Sequence, residues 1–193
     1  MEKGRLEAFS DGVIAVIITI MVLELHPPHE PTLNALLEVA HPLFAYVLSF
    51  IYVGIYWNNH HHMFQAAERV NGSVLWANNF LLFCLSLVPF VTNWMGETEF
   101  ALVPTVVYGF VMFLPGTAYF ILSMTLIRLH GPDSTLARAT GAGVKEWLSL
   151  VLYVLGIGGS FINPYFGFAI YLAVAAMWLI PDRRIERLIG RER

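Results

Sequence analysis

The sequence predicts an all-α membrane protein whose single chain crosses the bilayer six times. Three observations carry that reading. First, 57% of the 193 residues are hydrophobic, only 13% are charged, and the mean hydropathy is +0.63. A soluble domain carries about 25% charged residues, so roughly half the usual complement is missing. Second, the aromatic share is 14%, as expected where rings anchor segments at both membrane interfaces. Third, the eleven Lys and Arg are clustered, with none in residues 6–68, 70–127 or 146–182. Between these clusters the apolar runs come in pairs, each pair bending back through an acidic or neutral turn. The turns are His26-Pro27-Pro28-His29-Glu30-Pro31, Gly96-Glu97-Thr98-Glu99 and Ile162-Asn163-Pro164. Three hairpins make six crossings, and the positive-inside rule puts every basic cluster, and with them both termini, on the cytoplasmic side. The net charge of -3 decides nothing, because its distribution matters more than its sum. The lone Cys84 excludes a disulfide framework or a cysteine-based zinc site within one chain.

Each crossing has its own punctuation. The first covers about residues 4–25. Lys3 and Arg5 ahead of an apolar run match the start of a signal peptide, but no small-x-small cleavage site follows, and the run ends in Glu24-Leu25-His26-Pro27. A retained helix is expected. Its uncharged core, 12–23, is short for a span of roughly 20 residues, which places Asp11 and Glu24 toward the two membrane boundaries. The second crossing, 33–64, is longer than needed. The third, 73–94, has Pro89 near its outer end. The fourth, 101–127, contains Pro115-Gly116, where a kink is expected. The fifth, 144–161, carries Gly156-Ile157-Gly158-Gly159-Ser160, which permits close helix approach. The sixth, 165–180, is followed by a basic tail, 181–193, expected to be amphipathic and at the cytoplasmic surface. The only polar linker is 130–143. No internal repeat and no second soluble domain is visible, so residues 1–193 read as a single six-helix transmembrane domain.

A charge at the centre of a span costs on the order of 2.5–3.5 kcal/mol on insertion scales, so polar groups inside these segments are functional candidates. Three groups qualify. Arg5-Leu6-Glu7-Ala8-Phe9-Ser10-Asp11 opens the first crossing; its Asp and Ser need partners from elsewhere, unless they simply favour the positive end of the helix dipole. Trp57-Asn58-Asn59-His60-His61-His62-Met63-Phe64 closes the second. Three consecutive histidines suggest metal, yet on a helix they point about 100° apart and cannot all ligate one ion, so a hydrogen-bond network is the better reading. Trp76-Ala77-Asn78-Asn79-Phe80 lies on the third, with Pro89-Phe90-Val91-Thr92 at its outer end; asparagines in a span act as interhelical glue. By depth, Ser10, Asp11, His60 or His61 and Asn79 can meet in the cytoplasmic half.

The first crossing also carries a stripe at helical spacing: Gly12, Val16, Thr19, Ile20 and Leu23. Facing lipid it would be unremarkable; facing a symmetry axis it would line a pore with apolar rings and one hydroxyl layer. Periodicity does not separate the two, because the opposite stripe (Ile14, Ile18, Met21, Leu25) is equally apolar.

The opening Arg5-x-x-x-Phe9-Ser10-Asp11 resembles the signature of the transmembrane protein 175 family of potassium channels. The later Trp57-x-x-His60-His61-x-x-Phe64 and Asn79…Pro89-Phe90-x-Thr92 are similar to that family as well. The resemblance covers the first three helices; the last three agree in number and length. It implies six helices per chain and a homotetramer around a pore at the symmetry axis, lined by the first helix. Animal members resemble two fused copies, so this single copy implies four chains. The family has no carbonyl filter loop, and no TVGYG-like segment occurs here. Its constriction is built from bulky apolar side chains, which fall on Val16, Ile20 and Leu23, with a threonine layer aiding selectivity at Thr19. The bracing hydrogen-bond network falls on Arg5, Ser10, Asp11, Trp57, His60, His61 and Asn79. At the first apolar ring the family usually has isoleucine or leucine, and this chain has Val16. Four valines close a smaller plug, so the gate is expected to be leakier or shifted toward Ile20 and Leu23.

The expectation is a passive channel with a modest preference for potassium over sodium, with no enzyme activity. No cofactor or metal is expected beyond permeant potassium, and no nucleic-acid partner. Its partners are copies of itself and the lipid bilayer of the cell (inner) membrane. Two rivals differ in class. A proton-coupled transporter would use Asp11, Glu24 and the histidines as a relay, and would need an inverted repeat or central site. A haem or metal enzyme would use His60, His61 and His62.

Overall fold

The computed structural model describes residues 2–134, 136–137 and 144–179. Among these the chain is helical, without strands. Helix α1 spans Lys3–Leu23, a short α2 spans Leu33–Glu38, and α3 spans Ala40–Gln65. Then follow α4, Gly72–Ser86, α5, Val88–Glu97, and α6, Leu102–His130; α7 covers Val144–Ser160 and α8 Pro164–Leu179. Four stretches are long and apolar enough to cross a membrane: Lys3–Leu23, Ala40–Gln65, Gly72–Glu97 and Leu102–His130. The helices α7 and α8 are apolar but shorter. The basic tail expected at 181–193 lies outside the described residues.

Local chemistry sets the boundaries. The Thr32 hydroxyl accepts the Ala35 N–H at the start of α2, and the Asn71 carboxamide accepts the Val74 N–H at the start of α4; both satisfy helix-end donors that would otherwise be orphaned. The segment expected as one helix over 73–94 is interrupted at Leu87. Pro89 falls in the first turn of α5, where its missing N–H costs nothing. Pro115, by contrast, lies inside α6, which continues past it to His130. Gly131, at φ 94°, ends that helix in the left-handed region open to glycine.

The turn into α6 places two non-glycine residues, Glu99 and Phe100, at φ 52° and 58°. Such conformations persist where the surroundings over-determine them. Here the Phe100 ring is buried, 4.5 Å from Phe168, 5.8 Å from Tyr165 and 5.4 Å from His41, measured between ring centroids.

Helix α6 is the hub, packed against α4, α5, α7 and α8, while α1 packs on α3, α4 and α5. Close approach depends on glycine. A Cβ at Gly109 of α6 would overlap the Tyr171 hydroxyl; one at Gly156 of α7 would lie 2.5 Å from the Tyr171 ring; and one at Gly159 would lie 2.5 Å from Phe166. The glycine-rich stretch of α7 therefore does admit α8, as its composition suggests. A buried tyrosine cluster fills the space so created: Tyr52, Tyr108, Tyr153 and Tyr171 are all at most 2% exposed, and the Tyr52 hydroxyl donates to the Tyr171 carbonyl.

Candidate functional site

The site is assembled where α1 meets the ends of α3 and α4. Ser10 is fully buried, His60 is 2% exposed and Asn78 is 1% exposed. They form one chain of hydrogen bonds. The His60 Nε2 lies 2.8 Å from Asn78 Oδ1; a carbonyl oxygen only accepts, so His60 donates from Nε2. The Asn78 Nδ2 donates to Ser10 Oγ at 2.9 Å, and Ser10 Oγ donates to the Leu6 carbonyl at 2.9 Å. Each donor has one acceptor, as a dry interior requires. The His60 ring also packs on Phe64, 4.5 Å away.

A second pairing lies beside the first. The exposed Trp57 Nε1 donates to Asp11 Oδ1 at 2.9 Å, and the Trp57 ring stacks on His61 at 6.0 Å and 17°. His61 Nε2 is 2.8 Å from Gln65 Nε2, which can only donate. Of the residues the sequence put in a bracing network, Ser10, Asp11, Trp57, His60 and His61 are thus brought together. Arg5 and Asn79 are not part of it within one chain: Arg5 is exposed with no side-chain hydrogen bond among the described residues, and Asn79 is exposed. The buried carboxamide belongs to its neighbour, Asn78. His62 turns away, its Nδ1 buried without a hydrogen-bond partner. No group of three or more His, Cys, Asp or Glu among the described residues is arranged to hold a metal ion.

The two stripes of α1 part company. Of the second stripe Ile14 and Met21 are buried inside the protomer at 2% exposure, joined by Ile17 at 3%, while Ile18 and Leu25 are only partly buried. The other stripe faces outward: Phe9 58%, Val16 56%, Ile20 42% and Leu23 71% exposed, with Gly12 and Thr19 exposed between them. Nothing lies within 4 Å of the position a Gly12 Cβ would take. Thr19 Oγ1 donates to the Ala15 carbonyl at 2.8 Å, so its only hydroxyl proton is committed to the helix and the oxygen offers lone pairs. Alongside runs an open groove of about 1010 Å³, walled by Phe9, Val16 and Ile20 of α1 and by Pro89, Phe90 and Trp94 of α5. At its upper end Asn93 Nδ2 donates to Glu24 Oε2 at 3.2 Å.

Sequence reasoning missed two contributors. Lys3 Nζ donates to the carbonyls of Phe64 (2.8 Å) and Ala67 (2.9 Å), tying the start of α1 to the end of α3, where a cation complements the helix dipole. A chain of hydroxyls also joins α3, α5 and α6. Thr92 Oγ1 lies 2.7 Å from both Ser49 Oγ and the Val88 carbonyl, and Ser49 Oγ lies 3.0 Å from Tyr108 Oη. With one proton per hydroxyl, all three contacts are met when Tyr108 donates to Ser49, Ser49 to Thr92 and Thr92 to Val88. Nothing in the sequence pointed to the Lys3 contact, since water can solvate a lysine at a helix start and its partner lies 61 residues away.

Residues 5–89 match the family model described as endosomal/lysosomal potassium channel TMEM175. A potassium channel of Chryseobacterium sp. (strain P1-3) is 52% identical over 187 residues, covering 97% of each chain. A potassium channel of Streptomyces collinus is 34% identical over 175 residues, covering 84% of each. The crystal structure of a lysosomal potassium-selective channel TMEM175 homolog from Chamaesiphon minutus superposes with a TM-score of 0.81 at 26% identity, covering 93% of this chain and 97% of the other. The chain therefore belongs to the TMEM175 family of channels.

Proposed function

We propose that the protein is a potassium channel in which four copies surround a pore lined by the outward stripe of α1. The observation that carries this reading is the stripe itself: Phe9, Gly12, Val16, Ile20 and Leu23 turn away from the protomer core, with one hydroxyl, Thr19, among them. A symmetric assembly buries such a face around its axis. In that arrangement Val16, Ile20 and Leu23 form stacked apolar rings that gate by dewetting, because an ion there sheds water without replacement ligands. The Thr19 oxygens, their protons held by Ala15, present four acceptors to a partly dehydrated cation. Potassium loses its water more easily than sodium, so a modest preference follows. The groove beside α1 is the seat for the adjoining protomer.

The membrane topology belongs to the same reading. The four long apolar segments and the pair α7 and α8 make six crossings in the cell membrane. Lys3, Arg5, Arg69, Arg128 and Lys145 gather at one end of the bundle. That end, with both termini, faces the cytoplasm by the positive-inside rule.

The test is potassium flux in vesicles holding purified protein, measured against sodium. Potassium-preferring flux that is lost in Val16→Phe and Ile20→Phe supports the reading. No flux, or flux only with an imposed proton gradient, sinks it in favour of a proton-coupled transporter. Thr19→Val should conduct with less discrimination; an unchanged reversal potential under mixed potassium and sodium would remove Thr19 from selectivity.

A further inference from the structure

The bracing residues account for the middle of α1 but leave its base, where a different set of contacts converges. The loop between α3 and α4, residues 66–71, is held from two sides. From α1, Lys3 Nζ donates to the Ala67 carbonyl. From α6, the imidazole of the last residue, His130, accepts the backbone N–H groups of Glu68 (3.1 Å) and Arg69 (3.3 Å) at Nε2. Arg69 returns the contact, its Nη2 donating to the Leu129 carbonyl at 3.1 Å.

The protonation state of His130 follows from its partners. Nδ1 lies 2.9 Å from the Leu126 carbonyl, an acceptor only, so Nδ1 carries the proton. Nε2 receives two N–H donors and must keep its lone pair. Both ring nitrogens are therefore committed in the neutral ring alone. A proton taken up at Nε2 would set an N–H against two N–H groups, and the ring would have to leave the loop. The loop amides would then turn to water. His130 is only partly buried, so water reaches it.

We propose that His130 is a proton-sensitive latch: its neutral ring fastens the 66–71 loop to α6, and its protonation frees the loop that anchors the base of the pore helix. This regulation rests on the channel reading above. Among the described residues, the charged and titratable groups at this end of the bundle are Glu68 and Arg69 on the loop, Glu2, Lys3, Arg5 and Glu7 at the start of α1, and His60, His61 and His62 at the end of α3. Arg128 lies on α6, Asp133 on the turn after it, and Lys145 at the start of α7. Helix α4 brings only Cys84, more than two turns from its start. The latch is closed when the ring is neutral and open when it is protonated, because only the neutral ring meets all three contacts.

The experiment uses the full chain in lipid nanodiscs and vesicles, with both faces at the same pH. The first readout is amide hydrogen exchange at Glu68 and Arg69, corrected for the intrinsic pH dependence of exchange. Protection should fall about tenfold between about pH 7.5 and about pH 5.5, where an imidazole gains its proton. In His130→Gln, whose amide does not titrate, protection should be flat. Potassium flux is read on the same proteins and should change about threefold or more across that interval in the native protein only. Constant amide protection in the native protein, or the same loss in His130→Gln, overturns the latch and points to His60, His61 or His62 instead. A change in protection without a change in flux overturns its link to the pore while leaving the channel intact. Absence of potassium flux at every pH overturns the channel reading, and the exchange measurement still decides the latch.

Discussion

Asn78 and Asn79 are adjacent, both polar and both in an apolar helix, yet only Asn78 is buried between His60 and Ser10. One residue on a helix is a rotation of about 100°, so the two side chains cannot share a partner. Asn78→Ala would leave the His60 N–H without an acceptor in a dry interior, at a cost of about 1–3 kcal/mol. The thermal midpoint of purified protein should fall by several degrees, since each kcal/mol moves it by roughly 2–4 °C at this size. Asn79→Ala should lower it by clearly less, and equal losses would contradict the assignment. The sequence carried the right pair of residues but not the choice between them, because α4 is apolar on every side and its polar positions have no contrasting face to orient them. The same holds for the two stripes of α1, where burial of Ile14, Ile17 and Met21 supplies the contrast. By comparison, Ser10, Asp11 and His60 were legible as neighbours by depth, because polar groups inside an apolar span need partners, whereas Trp57 entered only with the family resemblance.

Among the elements, the glycines sort into two kinds. Gly109 and Gly156 exist for contact: a Cβ at either would collide with the Tyr171 side chain. Tyr171 cannot yield easily, because its ring is wedged 5.7 Å from Tyr108 and 6.3 Å from Tyr153. Gly109→Ala should therefore reduce the yield of folded protein and lower its thermal midpoint, by about 1–3 kcal/mol as overpacked cores do. Gly12 is the opposite case, with open space where its Cβ would go. Gly12→Ala should leave the fold as stable as before and alter ion flux, because it narrows the outward stripe; a folding defect with unchanged flux would reverse that view. Helix boundaries were the least legible feature at this scale. The stretch 73–94 reads as one apolar run, and only the missing N–H of Pro89 divides it into α4 and α5. The same residue type at Pro115 leaves α6 whole. A proline interrupts a helix only when its neighbours re-satisfy the freed carbonyl less well than a new helix start would, and that depends on partners far away in sequence.

For the whole molecule, the apolar groove beside α1 and the exposed stripe along it predict assembly. Purified protein should have a native mass of four times the 21.7 kDa chain. Leu23→Cys in a Cys84→Ser background should cross-link between copies, because Leu23 is 71% exposed at the proposed axis. A monomer that nevertheless conducts would end the axial pore. The buried polar contacts have one more consequence. In both networks every donor points along a single direction and the last acceptor is a main-chain carbonyl, Leu6 in one and Val88 in the other. The first also passes through a carboxamide, Asn78, which at ordinary pH neither takes up a further proton nor releases one. Hopping conduction needs groups that do both, so a proton arriving at His60 travels no further than its neighbour. The Ser10–Asn78–His60 brace is thus an insulator for protons: it ties α1 to α3 and α4 without opening a hopping path through the protomer.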